Sequence, residues 1–204
     1  MPRTADDVED FFLFLTTCAR MSLLNAFDQD WFNAFIPGAR ALIGCDQGTD
    51  AHLEGDAATH TALVFETIDA VARTRMGRAA DPVEKLAVLL HDIAKPVTRT
   101  VLEGGGVSFP GHEAPGAEIS LEVAKNLALS KEDADKLHYL VAQHGNAHEW
   151  PQLSAGIKNE ITNSPWALSL GLLQEADARS CLLPGGGHLP VYWDEITALR
   201  RKSD

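Results

Sequence analysis

Chemistry is concentrated first in the stretch Leu89-Leu90-His91-Asp92-Ile93-Ala94-Lys95-Pro96, where an imidazole sits directly beside a carboxylate and an ammonium follows one turn later. Consecutive helical residues diverge by about 100°, so His91 and Asp92 splay around one point without sharing a face. Lys95 comes three residues after Asp92 and four after His91, on the same side. Such an arrangement suits a metal ion with an anionic substrate beside it. Four more side chains extend the set. His60, His144 and Asp177 each end or begin an apolar helical stripe, and His112 sits in the Gly/Pro-framed segment Phe109-Pro110-Gly111-His112-Glu113-Ala114-Pro115-Gly116. Mixed imidazole and carboxylate ligands favour Mn, Fe, Co, Ni or Zn over Mg or Ca. Six such groups are too many for one ion that keeps positions open for substrate, whereas two ions sharing one carboxylate would use them all. Two-metal sites activate water and clamp phosphate oxygens, which is what phosphoester hydrolysis requires.

The elements that must hold these groups are helices. Hydrophobic spacing predicts a first helix over 6–24 and a short one over 30–35, stopped by Pro37-Gly38. Residues 38–55 read as a loop holding no more than one helical turn. Glu54-Gly55-Asp56 opens a helix in which His60, Val64, Ile68 and Val71 share the apolar face. Asp81-Pro82-Val83-Glu84 is a capping-box start with Pro at the first helical position. That helix buries Leu86, Leu89, Leu90 and Ile93, and Pro96 predicts its finish near Lys95. A hairpin or flap over 97–107 carries Gly104-Gly105-Gly106 at its tip. A helix over 115–127 follows. The next starts at Ser130, aligns Leu137, Leu140, Val141 and His144, and has Gly145 as its expected stop. Ser164-Pro165 predicts the cap of a helix aligning Trp166, Leu170, Leu173 and Asp177, and a terminal helix is expected over 191–202. The fold class is all-α. His52, His138, His148 and His188 lack an apolar-stripe context and read as surface or loop residues.

A chain of 204 residues carries one substantial core with room for an extension. The expected division is a helical extension over 1–50, a core domain over 51–183, and a C-terminal loop and helix over 184–204. A net charge of -12 argues against broad, sequence-independent nucleic-acid binding, which needs Lys and Arg to neutralise phosphates. A small nucleotide or a single RNA end needs only a local basic site. Cys18, Cys45 and Cys181 are odd in number and fit no zinc pattern, as expected of reduced thiols in a cytoplasmic protein. The apolar run Phe11–Leu15 follows acidic residues and is far too short to span a bilayer, so no membrane association is expected.

The order His60, His91-Asp92, Asp177, with His112 and His144 between, resembles the HD-domain metal-dependent phosphohydrolases. Their fold is a helical bundle with the metal site in the core. Glu54-Gly55-Asp56, His60-Thr61, Leu89 to Pro96, Gly111-His112-Glu113 with Gly116, and Leu140-Val141 before His144 are similar to the HD domain of bacterial CCA-adding tRNA nucleotidyltransferases. Ala176-Asp177-Ala178-Arg179 is similar to the late Ala-Asp-x-Arg of the HD module of RNA-repair polynucleotide kinases. The likeness covers roughly residues 50–182, with Ala94 where the family commonly has Gly. It implies a divalent transition metal, as one or two ions. His60, His91, Asp92 and Asp177 would hold the first ion; His112, His144 and the bridging Asp92 would hold the second. Asp92 and Lys95 would be catalytic, and Lys95, with Arg99 and Arg179 as further candidates, would contact the phosphate. The implied activity is phosphomonoesterase or phosphodiesterase action by metal-activated hydroxide on nucleotides or on 2′,3′-cyclic, 2′- or 3′-phosphate RNA ends. A mixed-valent diiron oxygenase of the same ligand pattern is the alternative, and a non-catalytic nucleotide-binding module ranks below both. With neither a nucleotidyltransferase region nor a Walker-type loop, nucleotide addition and RNA phosphorylation are not expected. Residues 1–50 resemble no family, and the oligomeric state is open.

Overall fold

A computed structural model of the chain describes residues 4–198, and the C-terminal part of the helix expected over 191–202 lies outside them. The described residues are helical apart from one two-stranded hairpin. The 6–24 segment divides into α1 (Ala5–Thr17) and α2 (Arg20–Ala26), because Cys18 and Ala19 are extended between them. The break lets the two helices bury separate faces, Phe11 and Leu15 from one and Leu23 and Ala26 from the other. Phe11 stacks on Phe35 of α3 (Asp30–Phe35) at 4.6 Å, and a 3-10 turn over Ala39–Leu42 follows. These residues join the same buried cluster as the central helices.

The site rests on five central helices: α4 (Ala57–Met76), α5 (Pro82–Leu90), α7 (Glu113–Asn126), α8 (Lys131–His148) and α10 (Ala167–Ser180). Helix α10 packs on α4, α5 and α8, and α7 lies along α8. Lys85, buried in α5, ties α5 to the earlier elements through Asp69 at 3.0 Å and the Leu15 carbonyl at 3.3 Å.

The sequence reading of α5 needs one correction. The helix ends at Leu90, five residues before Lys95, and residues 91–94 form a turn closed by Ile93 N to Leu90 O and Lys95 N to Asp92 O. Pro96 opens a new short helix, α6 (Lys95–Thr98), instead of ending the old one. A first-turn position has no intrahelical acceptor for its N–H, so proline costs nothing there. His91 and Asp92 consequently project from a tight corner, which directs both inward.

Gly145 also departs from expectation: α8 runs through it to His148. A side chain at 145 would collide with the Glu113 carboxylate, so glycine there serves close approach of α7 and not termination. Ser164 closes α9 (Ala155–Asn163), an element the spacing did not show, and α10 begins at Ala167 after Ser164 Oγ accepts the Trp166 N–H. The hairpin pairs β1 (Thr100–Val101) with β2 (Val107–Ser108) antiparallel, and the glycines form its tip. Helix α11 (Trp193–Ile196) lays Trp193 against Gly171 of α10, where any Cβ would meet the ring at 2.8 Å. No helix among the described residues is long and apolar enough to cross a membrane. The cysteines are free, two of them buried.

The start of α5 supplies a stability test. Asp81 accepts the Glu84 N–H while Glu84 accepts the Asp81 N–H, and Lys136 Nζ of α8 lies 2.7 Å from Asp81. Substituting Asp81→Ala is expected to lower unfolding free energy by about 1–2 kcal/mol in urea titrations. Burial raises the Asp81 pKa, but Lys136 and the Glu84 N–H outweigh it and hold the carboxyl below its ordinary 3.8. The stabilisation is therefore present above pH 3.8 and lost as pH falls through the lowered folded value. The wild-type and variant urea midpoints should converge in acid.

Candidate metal centre

His60 enters from the first turn of α4, which Asp56 caps, and His91 and Asp92 from the corner after α5. His112 precedes α7, His144 lies in α8, and Asp177 lies in α10. All six are brought to one buried region. Among the described residues, His60, His91 and Asp177 place one ligand atom each within 4.8 Å of one another, and Asp92, His112 and His144 do the same.

The second nitrogen of each ring is committed to the protein. His91 Nδ1 lies 2.7 Å from Val88 O, His112 Nδ1 2.9 Å from Phe109 O, and His144 Nδ1 2.7 Å from Val141 O. A carbonyl only accepts, so each Nδ1 must carry the proton. In the neutral ring Nε2 is then a lone pair, turned to the centre of the site. His60 follows the same rule with a carboxylate, Nδ1 to Glu54 Oε1 at 2.8 Å. Metal-binding imidazoles have this arrangement, with the outer hydrogen bond setting tautomer and ring direction.

Two further distances test whether a cation fits. His112 Nε2 and His144 Nε2 lie 3.0 Å apart, an unfavourable contact for two lone pairs unless a positive charge is shared between them. His91 Nε2 makes no hydrogen bond of good geometry, although Asp92 Oδ2 is 3.2 Å away. Asp92 lies between the two triads. Its Oδ2 is 3.2 Å from His91 Nε2 and 3.9 Å from His60 Nε2, while its Oδ1 is 3.2 Å from His112 Nε2 and 3.8 Å from His144 Nε2. One carboxylate oxygen therefore faces each group, and the donor set fits one or two divalent ions.

The electrostatics are those of a site built for positive charge. Burial would raise the Asp92 carboxyl, but His91, Lys95 and His112 overcome it and hold Asp92 well below the ordinary value. Asp177 is likewise lowered against burial by His148 and His60. Burial opposes a charged His60, yet Asp177 and Glu54 lift it to about 9. The facing pair splits. Burial opposes charge on His112 too, but Asp92 raises it, whereas burial and the neighbouring His91 push His144 down to about 3.

Lys95 Nζ lies 2.7 Å from Asp92 Oδ2 and 2.6 Å from Gln47 Oε1, and it borders a cleft of about 220 Å³ together with Asp92, His112, His144 and Asp177. The other two candidate phosphate contacts are elsewhere. Arg99 binds Asp46 through its carbonyl at 3.1 Å and its carboxylate at 2.9 Å. Arg179 pairs with Glu175 and is half exposed, and neither arginine lines this cleft.

Sequence reasoning missed several participants, among them Gln47 on Lys95 and His52, which was read as a surface or loop residue but lines the cleft beside Glu54. His148 Nε2 is 2.8 Å from Asp177 Oδ2 and lines the cleft. Its spacing of four from His144 is a same-face helical signal, which the expected stop at Gly145 concealed. Glu54 was read only as part of a helix start, yet its buried carboxylate accepts from both His60 and His52. Cys181 Sγ lies 3.7 Å from Asp177 Oδ1, and burial pushes its thiol up, so it stays neutral.

All six side chains fall within the segment that comparison with known proteins matches. The HD domain family matches residues 57–181. The chain is 30% identical over 126 residues to the multifunctional CCA protein of Halorhodospira halophila, covering 62% of this chain and 28% of that protein. It is 29% identical over 113 residues to the multifunctional CCA protein of Ralstonia nicotianae, covering 55% and 24%. It therefore spans about a quarter of the length of each of these relatives.

Proposed function

The chain belongs to the HD domain family, within the metal-dependent phosphohydrolase superfamily, and from that premise we propose that it hydrolyses phosphate esters of nucleotides or phosphorylated RNA ends. The observation that carries the reading is the Asp92 carboxylate between two triads, with all four histidines bonded outward through Nδ1. His60, His91, Asp92 and Asp177 would hold one divalent ion, and Asp92, His112 and His144 a second. Bound there, such ions lower the pKa of water and offset charge on phosphate oxygens.

The remaining roles belong to the chain. Lys95, buried beside Asp92, presents a fixed cation to a phosphate oxygen entering the cleft. Gln47 orients that ammonium by accepting a hydrogen bond from it through Oε1. Glu54 and the three backbone carbonyls hold the rings so that little reorganisation accompanies the reaction. His148 fixes the second oxygen of Asp177. A 2′,3′-cyclic or terminal RNA phosphate as substrate rests on the resemblance to the HD domain of CCA-adding tRNA nucleotidyltransferases, and the two relatives above are likewise named multifunctional CCA proteins.

The test is hydrolysis of p-nitrophenyl phosphate, its bis-ester, and 2′-, 3′-, 5′- and 2′,3′-cyclic nucleotides with added Mn, Co, Ni or Mg. Turnover that needs metal and ranks Mn, Co or Ni above Mg is expected. Absence of turnover with every metal, from protein that retains iron and consumes oxygen, would replace this reading with the diiron oxygenase.

A further inference from the structure

A larger cleft, about 580 Å³, opens beside the metal centre between the 46–52 loop and the hairpin tip. Three contacts connect the two. His52 borders both clefts, and Gln47, which lines the larger, accepts from Lys95 of the smaller at 2.6 Å. Phe109, also in the larger cleft, has Lys95 Nζ 5.3 Å from its ring centroid and gives its carbonyl to His112. A phosphoester held at the metal centre would therefore extend its alcohol half toward this space.

The loop is anchored in place. Arg99 at the hairpin base grips Asp46, and Asp46 Oδ1 accepts the Gly48 N–H at 3.0 Å. A Cβ on Gly48 would lie 3.1 Å from Val107, so the loop touches β2 where only glycine fits. Residues 46–52 precede the segment matched by the HD domain family, whereas the hairpin tip and Phe109 across the cleft lie within it.

The chemistry of the lining is selective. Among the described residues neither Lys nor Arg borders the cleft, while Asp46 and Asp50 do. Arg99 covers Asp46, and Asp50 is exposed on the loop. Gln47 is 6% exposed, and its Nε2 has no hydrogen-bond partner among the described residues. Flipping the amide would set N–H₂ against the Lys95 ammonium, so Oε1 must face Lys95 and Nε2 stays a buried donor without an acceptor. A second phosphate would meet Asp50 with no cation to offset it, whereas sugar hydroxyls donate well to carboxylates and a ring can rest on Phe109.

On the reading above, we infer that this cleft is the subsite for the alcohol half of the ester, and that it takes an uncharged, hydroxyl-bearing nucleoside and rejects a second phosphate, which selects mononucleotides over phosphorylated RNA ends among the substrates of that reading. Asp50 accepts from its hydroxyls, and Phe109 supports its ring.

Two measurements on the full chain test this. The first is calorimetric binding of adenosine and uridine in chelator, comparing wild type with Asp50→Ala; saturable binding, weakened about tenfold by the loss of one charge-assisted hydrogen bond, is expected. The second is the ratio of kcat/KM for a nucleoside monophosphate to that for its diphosphate, which should fall about tenfold in Asp50→Lys, as one new ion pair gives. Nucleoside binding that is absent or equal in both proteins, or an unmoved ratio, overturns the subsite even if esters are hydrolysed. Asp50-dependent nucleoside binding in a protein that hydrolyses no ester with any metal supports the subsite and overturns the hydrolase.

Discussion

Asp92→Asn is expected to lower metal-dependent phosphoester turnover by about 10³-fold or more, the order associated with losing a principal electrostatic stabiliser. Asparagine keeps the volume and one oxygen but removes the charge that faces both triads. The variant loses the anion that counters His91, His112 and Lys95 within 3.2 Å of it. Metal content, measured by plasma mass spectrometry after loading and desalting, should fall with activity. Circular dichroism should still show a helical protein, since the apolar stripe Leu86, Leu89 and Leu90 is untouched. Lys95→Met separates the roles. It should retain metal while losing about 10²–10³ in kcat, because its proposed work is charge stabilisation at the phosphate. An Asp92→Asn protein that keeps both metal and turnover would remove the carboxylate bridge from the mechanism.

Thermal unfolding should respond to metal almost as strongly. His112 Nε2 faces His144 Nε2 at 3.0 Å, and His91 Nε2 is poorly paired in the core. An ion bound only by the folded state stabilises by about 2.7 kcal/mol at one hundred times its Kd. For a chain of this size that corresponds to an upward shift in Tm of about 5–10 °C. The shift should vanish in Asp177→Ala and persist in Arg179→Ala, whose guanidinium is occupied by Glu175. It should also depend on pH in a definite direction. His60 is raised from 6.5 to about 9 by Asp177 and Glu54, so its proton contributes stability below pH 6.5 that is lost as pH rises through about 9. A metal must displace that proton, and the metal-induced shift should therefore grow across the same interval. A shift that is equal in wild type and Asp177→Ala would place the ion elsewhere.

Much of this site was legible along the chain because buried helices advertise their inward faces. His60, His144 and Asp177 each prolong an apolar stripe of period 3.6, and an ionisable group on such a stripe must be paired. His91-Asp92 followed from its position at the end of the most apolar helix. The capping box at Asp81 located the start of that helix, and the all-α class followed from the same periodicities. Its end was misplaced because Pro96 has two readings, a stop for one helix or the first turn of the next, and local rules do not choose between them. Gly145 was misread for a similar reason, since a glycine that ends a helix and one that admits a neighbouring side chain look alike in sequence.

What the amino-acid order determined by itself was the helical class, the inward faces and the identity of the groups they carry. Tertiary structure alone decided the partners. His60 meets Asp177 across 117 positions, Lys95 meets Gln47 across 48, and Arg99 meets Asp46 across 53. Periodicity reports on neighbours within two or three turns, so no local pattern encodes such pairs. Packing of α10 on α4 and α8 sets the first, and the anchored 46–52 loop sets the other two. The same packing placed Asp92 between the triads and brought His148 to Asp177.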